Sequence, residues 1–465
     1  MNRVLRACAT SPRVIGRRCT RAAPRAAVAL ATTLAATAAV AAAPAAAPES
    51  VTAPPGPAAG LADSAGLRAT VFGTPPDDIA PMPRRVPLTE IDIAFPWARP
   101  IPEVLWFNRR LRVWLSAQDG PAPLAIVISG TGSDGNTSKL GVLRGALYGA
   151  GYHVLTVPSP TFPGFIVAAS STGVAGDLEQ DSQDLYAALV QIRAHLPRKV
   201  RITDVDVLGY SLGGAHAGMV KSIDARVAKL GIHRAVMIEP PVSLFASVGR
   251  LDKLFAQSIG GGEQDIERLY RQLYAQVANL YRASNRGQID ESFLFAAAAS
   301  VLKSDAELSA AIALSFRLSL EDMFFAADLY AGTGVVVDPR RPPRVGDSLL
   351  EMQRVLRGKP FSEYFTRVFA PYYLAHRPGS TAASLIAGNR LSIIGDALRA
   401  NEDYYVQANA NDLILDRREL EWLERTLGSR IVVYDHGGHL GNIGDRQQVS
   451  DMLAMLAGRF RSEPR

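Results

Sequence analysis

The stretch "VLGYSLGGAH" (residues 207–216) is an apolar run, a serine between two glycines, and a small-residue segment able to begin a helix. Its reading decides the fold. As a turn residue Ser211 means little, but on a sharp bend between a buried strand and a helix its hydroxyl is presented as a nucleophile. The five-residue pattern is not enough by itself: with glycine at roughly 7% of residues, Gly-x-Ser-x-Gly arises by chance in about one chain in six of this length. The surroundings have to carry the argument.

Working outward, Val205, Val207 and Leu208 make the run before the serine strand-like, and "GGAHAGMVKSI" after it suits a helix. Gly209 and Gly213 then have a physical purpose, because side chains there would collide with the adjoining strand and helix. Upstream, "RLRVWLSA" (110–117) alternates, "LAIVIS" (124–129) is continuously apolar, and "HVLTV" (153–157) follows a Gly-Ala-Gly turn. Downstream, "AVMIEP" (235–240), "DYYVQANAN" (403–411) and "RIVVYDHGG" (430–438) read as further strands. Continuous apolar strands are buried on both faces, as in a parallel sheet. Helical patterns at 139–151 and 177–196 lie between them, the second with Leu185, Ala188, Leu189 and Ile192 on one stripe. Alternating strands and helices predict an α/β fold with a doubly wound, mostly parallel sheet.

That rhythm stops after Pro241. Residues 242–401 read as helical, with Ile266, Leu269, Leu273, Val277 and Leu280 on one stripe and a proline-rich break at 335–347. The expected organisation is a first core part at 67–241, an all-helical cap or lid at 242–401 inserted before the last two strands, and a closing core part at 402–465. The aromatic residues of the insertion (Tyr270, Tyr274, Phe293, Phe295, Phe324, Phe325, Tyr372, Tyr373) read mainly as helix-packing core.

A serine hydroxyl needs a base to take its proton. "YDHGGHLGN" (434–442) offers two: His439, deep in a glycine-flanked loop and able to reach across, and His436, nearer the strand end and expected to be structural. The base needs an acid to orient its ring. Asp412 follows the strand at 403–411 and precedes His439 by 27 residues. Glu239, after "AVMI", is the rival acid, while Asp416 suits a helix start. Amides at Thr131 or Gly132, in "SGTG" after the strand at 124–129, paired with that of Leu212, are the expected donors to a developing oxyanion.

The elbow, the "ND" after one strand and the "GGHLG" after the next, in the order Ser, Asp, His, resemble the α/β-hydrolase superfamily. The resemblance covers about residues 105–241 and 402–460. It departs from the superfamily in its "SGTG" loop, where His-Gly is common, and in the length of its insertion. It implies a serine hydrolase working through an acyl-enzyme. A carboxylic ester hydrolase acting on a small-molecule or lipid-like ester is the expectation, with amide or peptide bonds as the enzymatic alternative. A non-catalytic binding module on the same fold is the alternative from another class.

Composition closes off other readings. Hydrophobic residues form 48% and charged residues 20%, enough to bury a sizeable core. The net charge of +6 is concentrated at the amino end, where residues 1–47 hold seven arginines and no acid. The remainder is near neutral, so no nucleic-acid partner is expected. Residues 1–43 combine an arginine-rich start with the apolar run at 26–43 and read as an export signal, giving a periplasmic or secreted protein with no membrane span once it is cut; an uncleaved anchor and an organelle transit peptide are the alternatives. Residues 44–66 are Ala/Pro-rich and read as a linker. Cys8 and Cys19 both lie in the signal. The mature chain therefore has no disulfide and no thiolate site. "GTGSDGNT" (130–137) approaches a phosphate-binding loop, but Asn136 stands where the lysine is needed. His153, His195, His216, His233 and His376 show no ligand spacing, so no metal or other cofactor is expected.

Overall fold

A computed structural model describes residues 63–96, 99–259, 302–461 and, singly, Arg268 and Arg271. The export segment at 1–43, the helical stripe from Ile266 to Leu280, and Tyr270, Tyr274, Phe293 and Phe295 lie outside the described residues.

The centre is one eight-stranded sheet in the order β1-β2-β4-β3-β5-β6-β7-β8. Its strands are β1 (Thr89–Ile93), β2 (Leu111–Ser116), β3 (Ala122–Ile128), β4 (His153–Val157), β5 (Ile202–Tyr210), β6 (Ile232–Ile238), β7 (Tyr404–Asn409) and β8 (Ile431–Tyr434). From β4 through β8 neighbours run parallel, while β1 and β2 make the antiparallel edge. β2 lies inside that edge and is buried at every position except Arg112. β1 had no sequence signal: its pattern "TEIDI" buries only Ile93.

Side-chain alternation divides the core between the two faces of the sheet. In β5, Val205 and Val207 join one apolar cluster, Leu208 and Tyr210 the other; in β3, Ile126 and Ile128 oppose Ala125 and Val127. The first face is covered by α4 (Leu178–His195), α5 (Leu212–Val227) and α13 (Arg417–Leu427), the second by α2 (Ser138–Gly149) and α14 (Arg446–Leu456). This is a doubly wound α/β sandwich. Between β3 and β5 the strand order reverses, and such a switch point opens a crevice at the carboxyl ends of the strands.

Helix α1 (Ser64–Phe72) starts inside the segment expected to be linker. Asp63 caps it by accepting the Gly66 amide, and Leu67 is buried, so residues 64–66 of that segment are helical. A short helix α3 (Pro163–Ala168) follows β4.

Between β6 and β7 the described elements are helical: α6 (Leu244–Ile259), α7 (Asp305–Ala331), α8 (Leu350–Leu356), α9 (Phe361–Tyr364), α10 (Ala370–His376), α11 (Ala382–Gly388) and α12 (Gly395–Ala400). A π turn at Phe365–Phe369 joins α9 to α10. Leu308 and Ile312 of α7 pack with Leu254 and Phe255 of α6, Leu67 of α1, and Leu413 and Ile414. Farther along α7, Phe324 packs with Tyr364, Phe369 and Tyr373, and these aromatics are core. The insertion is therefore anchored on α1 and on the loop after β7.

Candidate functional site

Ser211 stands where β5 ends and α5 begins, with φ 54° and ψ −130°. Four non-glycine residues have positive φ among those described: Ser211, Ala228, Glu239 and Leu440. Ala228 ends α5. The other three gather at one place, and left-handed backbone at bulky residues persists only where the surroundings enforce it. The Ser211 amide donates to Ile238 O at 2.8 Å, and the Gly214 amide donates back to Ser211 O at 2.8 Å. A Cβ on Gly209 would strike the backbone of Gly213, and one on Gly213 would strike Ile128 and Ser129. The elbow is closed by sterics on both sides.

His439 meets the serine from β8. Its Nε2 lies 2.9 Å from Ser211 Oγ, and its Nδ1 lies 3.0 and 3.1 Å from the two oxygens of Asp412. Asp412 Oδ1 also accepts the Ile414 amide at 2.9 Å, which fixes the carboxylate's plane. All three residues are buried, at 6% exposure for Ser211, 4% for His439 and 6% for Asp412. Of the residues weighed as rivals, His436 is exposed, and Asp416 caps α13 by accepting the Glu419 amide at 2.9 Å. Glu239 is wholly buried, and its Oε2 lies 3.6 Å from His439 Nδ1.

The amides expected to receive an oxyanion separate into two kinds. Gly132 donates to Thr161 Oγ1 at 2.9 Å, so its N–H already has an acceptor and the expectation is corrected to Thr131 alone on this loop. The amides of Thr131 and Leu212 have no acceptor among the described residues. Gly130 brings the loop against the serine: a Cβ there would lie 3.3 Å from Ser211 Cβ. Two unpartnered donors thus belong to residues beside the elbow, Leu212 next after Ser211 and Thr131 next after Gly130.

An eight-stranded doubly wound sheet, a strained serine on a strand-to-helix elbow at the switch point, and the chain order Ser, Asp, His coincide here. The fold is that of the α/β-hydrolases. Within this α/β-hydrolase fold, α7 reaches the site directly. The Phe316 ring lies 6.3 Å from that of His439, and Ser319 packs on Gly132 so closely that a Cβ there would overlap it.

The loop carrying His439 is held by distant segments that sequence reasoning missed. Its amide donates to Thr70 Oγ1 of α1 at 2.8 Å, and Thr70 in turn donates to Gly66 O at 2.7 Å. Thr74 Oγ1 donates to Gly441 O at 3.0 Å. Asn409 Nδ2 faces Gly438 O at 2.8 Å and Glu239 Oε1 at 2.7 Å, and the Leu440 amide donates to Glu239 Oε2. No motif marks Thr70 or Asn409; only the fold brings them here. His216 is not part of the site. Its Nδ1 pairs with Ser182 Oγ at 2.8 Å, and complete burial lowers its pKa to about 3, so it is neutral packing between α4 and α5.

Among the described residues, Glu239, Asp412 and His439 form the one group of metal-ligating types within mutual reach. Their donor atoms are already engaged: His439 by Ser211 and Asp412, and both Glu239 oxygens by N–H groups. The set fits proton handling better than a cation. None of the described helices is long and apolar enough to cross a membrane.

No family model and no curated protein matches the chain. Among solved structures it is similar to the Pyrococcus furiosus esterase, at 10% identity and TM-score 0.35, over 83% of this chain and 99% of that one. It is similar to the thioesterase domain from the curacin biosynthetic pathway at 10% identity and TM-score 0.36, over 80% and 99%. With Est1E from Butyrivibrio proteoclasticus the identity is 16% and the TM-score 0.24, and the chain spans about half of that protein, 51%, over 32% of its own length. The fold assignment rests on strand order and elbow, not on these likenesses.

Proposed function

We propose that the protein is an exported serine hydrolase that cleaves carboxylic esters through Ser211, His439 and Asp412. One observation carries the reading: an unbroken hydrogen-bonded line from Ser211 Oγ through His439 to Asp412, at 2.9 and 3.0 Å, beside the two unpartnered amides of Thr131 and Leu212. His439 Nε2 takes the serine proton as Oγ attacks the acyl carbon, and Asp412 holds the imidazolium that forms. The amides of Thr131 and Leu212 receive the carbonyl oxygen as it becomes negative. His439 then protonates the leaving alcohol, leaving the acyl group on Ser211. Water, deprotonated by the same His439, attacks this ester and releases the acid, and the proton returns to Ser211.

The arginine-rich, apolar segment at 1–43 supports export. Phe316 beside His439 supports an apolar wall suited to a small-molecule or lipid-like ester. The first test is fluorophosphonate labelling of the mature protein, wild type against Ser211→Ala and His439→Ala. Labelling confined to wild type establishes an activated serine, and a screen of ester against amide substrates then fixes the bond cleaved. Folded wild-type protein that does not label overturns the reading in favour of a binding module.

A further inference from the structure

Two carboxyl groups meet one imidazole nitrogen in this site, and an orienting acid accounts for only one of them. Asp412, in the loop after β7, lies 3.0 Å from His439 Nδ1, and Glu239, just after the neighbouring parallel strand β6, lies 3.6 Å from it at the same carboxyl edge of the sheet. One oxygen of each carboxyl and a ring nitrogen of His439 all fall within 4.8 Å of one another, and both acid side chains are at 0% exposure. Glu239 is moreover in a left-handed conformation, φ 49°, as is Leu440, φ 66°, whose amide it accepts. A strained glutamate bonded to a strained leucine next to the base is an arrangement that packing alone does not need.

Resting on the proposed triad, we infer that Glu239 is a positioning residue held as the neutral carboxylic acid, donating its proton to Asp412 so that the pair presents a single negative charge to His439. The reason is electrostatic. Two carboxylates this close in a buried site do not both ionise, so one retains a proton. Asp412 has the better claim to the charge, since it sits closer to Nδ1 and accepts the Ile414 amide. Burial pushes the Glu239 carboxyl well above the usual range, and the charge of Asp412 pushes it further; the Leu440 amide and Lys139 act against this and are outweighed.

This arrangement gives Glu239 two functions. Its proton keeps Asp412 anchored at the correct side of the imidazole, and its two oxygens hold the His439 loop, Oε2 accepting the Leu440 amide and Oε1 accepting Asn409 Nδ2 at 2.7 Å, the protonated oxygen accepting on its remaining lone pair.

The roles of the two acids separate under amide substitution in the full-length protein. Gln at 239 is neutral and can still donate to Asp412, so Glu239→Gln lowers the fluorophosphonate labelling rate less than about tenfold. Asn at 412 cannot carry the charge, and Asp412→Asn lowers that rate roughly 10³- to 10⁴-fold. The spectroscopic counterpart is infrared spectroscopy at neutral pH with glutamate carboxyls carbon-13 labelled. A carboxylic-acid C=O band is expected in wild type and absent in Glu239→Gln. A reversed kinetic order, or no such difference band, overturns the inference while leaving the serine hydrolase reading intact. Wild type that never labels overturns that reading instead, and the infrared band still reports the proton on Glu239. If Glu239→Gln does not fold, wild type is compared with Asp412→Asn: the glutamate acid band must shift or vanish once the neighbouring charge is gone, and an unchanged band refutes the pairing.

Discussion

The two halves of the site are built in opposite ways. Around Ser211 almost every contact comes from nearby sequence or from strands paired with β5: Gly209 and Gly213 make room, Ile238 and Gly214 hold the backbone. Around His439 the contacts come from Thr70, Glu239, Asn409 and Asp412, which are 27 to 369 residues away. The serine side is a steric device, written as glycine where a methyl group cannot fit. The histidine side is a hydrogen-bond device that exists only once α1, β6, β7 and β8 are assembled. The first should therefore fail when volume is added, and the second when a charge or a hydrogen-bonding group is removed.

The charged end of the histidine device is the place to expect the largest effect. Asp412→Asn should depress labelling by about 10³- to 10⁴-fold, whereas Asp416→Ala should leave labelling within about twofold and cost only about 1 kcal/mol as a lost helix cap. Equal losses in the two variants would show that the acid has been misassigned.

Adding volume at the elbow comes next. Gly209→Ala forces a methyl group into the Gly213 backbone. Labelling should fall by about 100-fold and stability by about 1–3 kcal/mol, read by labelling rate and denaturant midpoint. An alanine tolerated at both levels would break the steric account.

Thr70→Val removes the hydroxyl that accepts the His439 amide at 2.8 Å and leaves that N–H without a partner. The cost should be about 1–3 kcal/mol of stability, with labelling reduced several-fold and restored by Thr70→Ser. If Thr70→Val behaves as wild type, α1 does not hold the base.

His216 gives a pH test away from the chemistry. Its folded pKa is near 3 against an ordinary value of 6.5, so the unfolded chain binds its proton first as pH falls. The stability contributed by the neutral ring is complete above pH 6.5 and is lost progressively toward pH 3. His216→Gln, which cannot take up charge, should flatten the fall in melting temperature over that window. Parallel curves would assign the acid sensitivity to other groups. Smallest of all is His436→Ala: the residue is exposed, and its loss should not change labelling by more than about twofold.

Much of this was legible in the residues. The runs at 124–129, 153–157 and 202–210 are strands because buried parallel strands must be apolar on both faces. Ser211, Asp412 and His439 stood out because each follows a strand in a loop rich in small residues, and the structure brings these three together. Less was legible at the edges. β1 is half exposed and carries no apolar pattern, and α1 is hidden in an alanine-rich stretch where helix and linker look alike. The Gly132 amide could be excluded only by seeing Thr161 against it.

What the sequence alone determined is what depends on short-range sterics and burial: the strand–helix alternation, the bend at Ser211, and the residue types able to do acid–base chemistry. Only the tertiary structure decided which amide stays free, which acid lies nearer His439 Nδ1, and that α1 and Glu239 hold the histidine loop. Those are matters of hydrogen-bond partners 27 to 369 residues apart, and a linear pattern has no term for a distance that only folding sets.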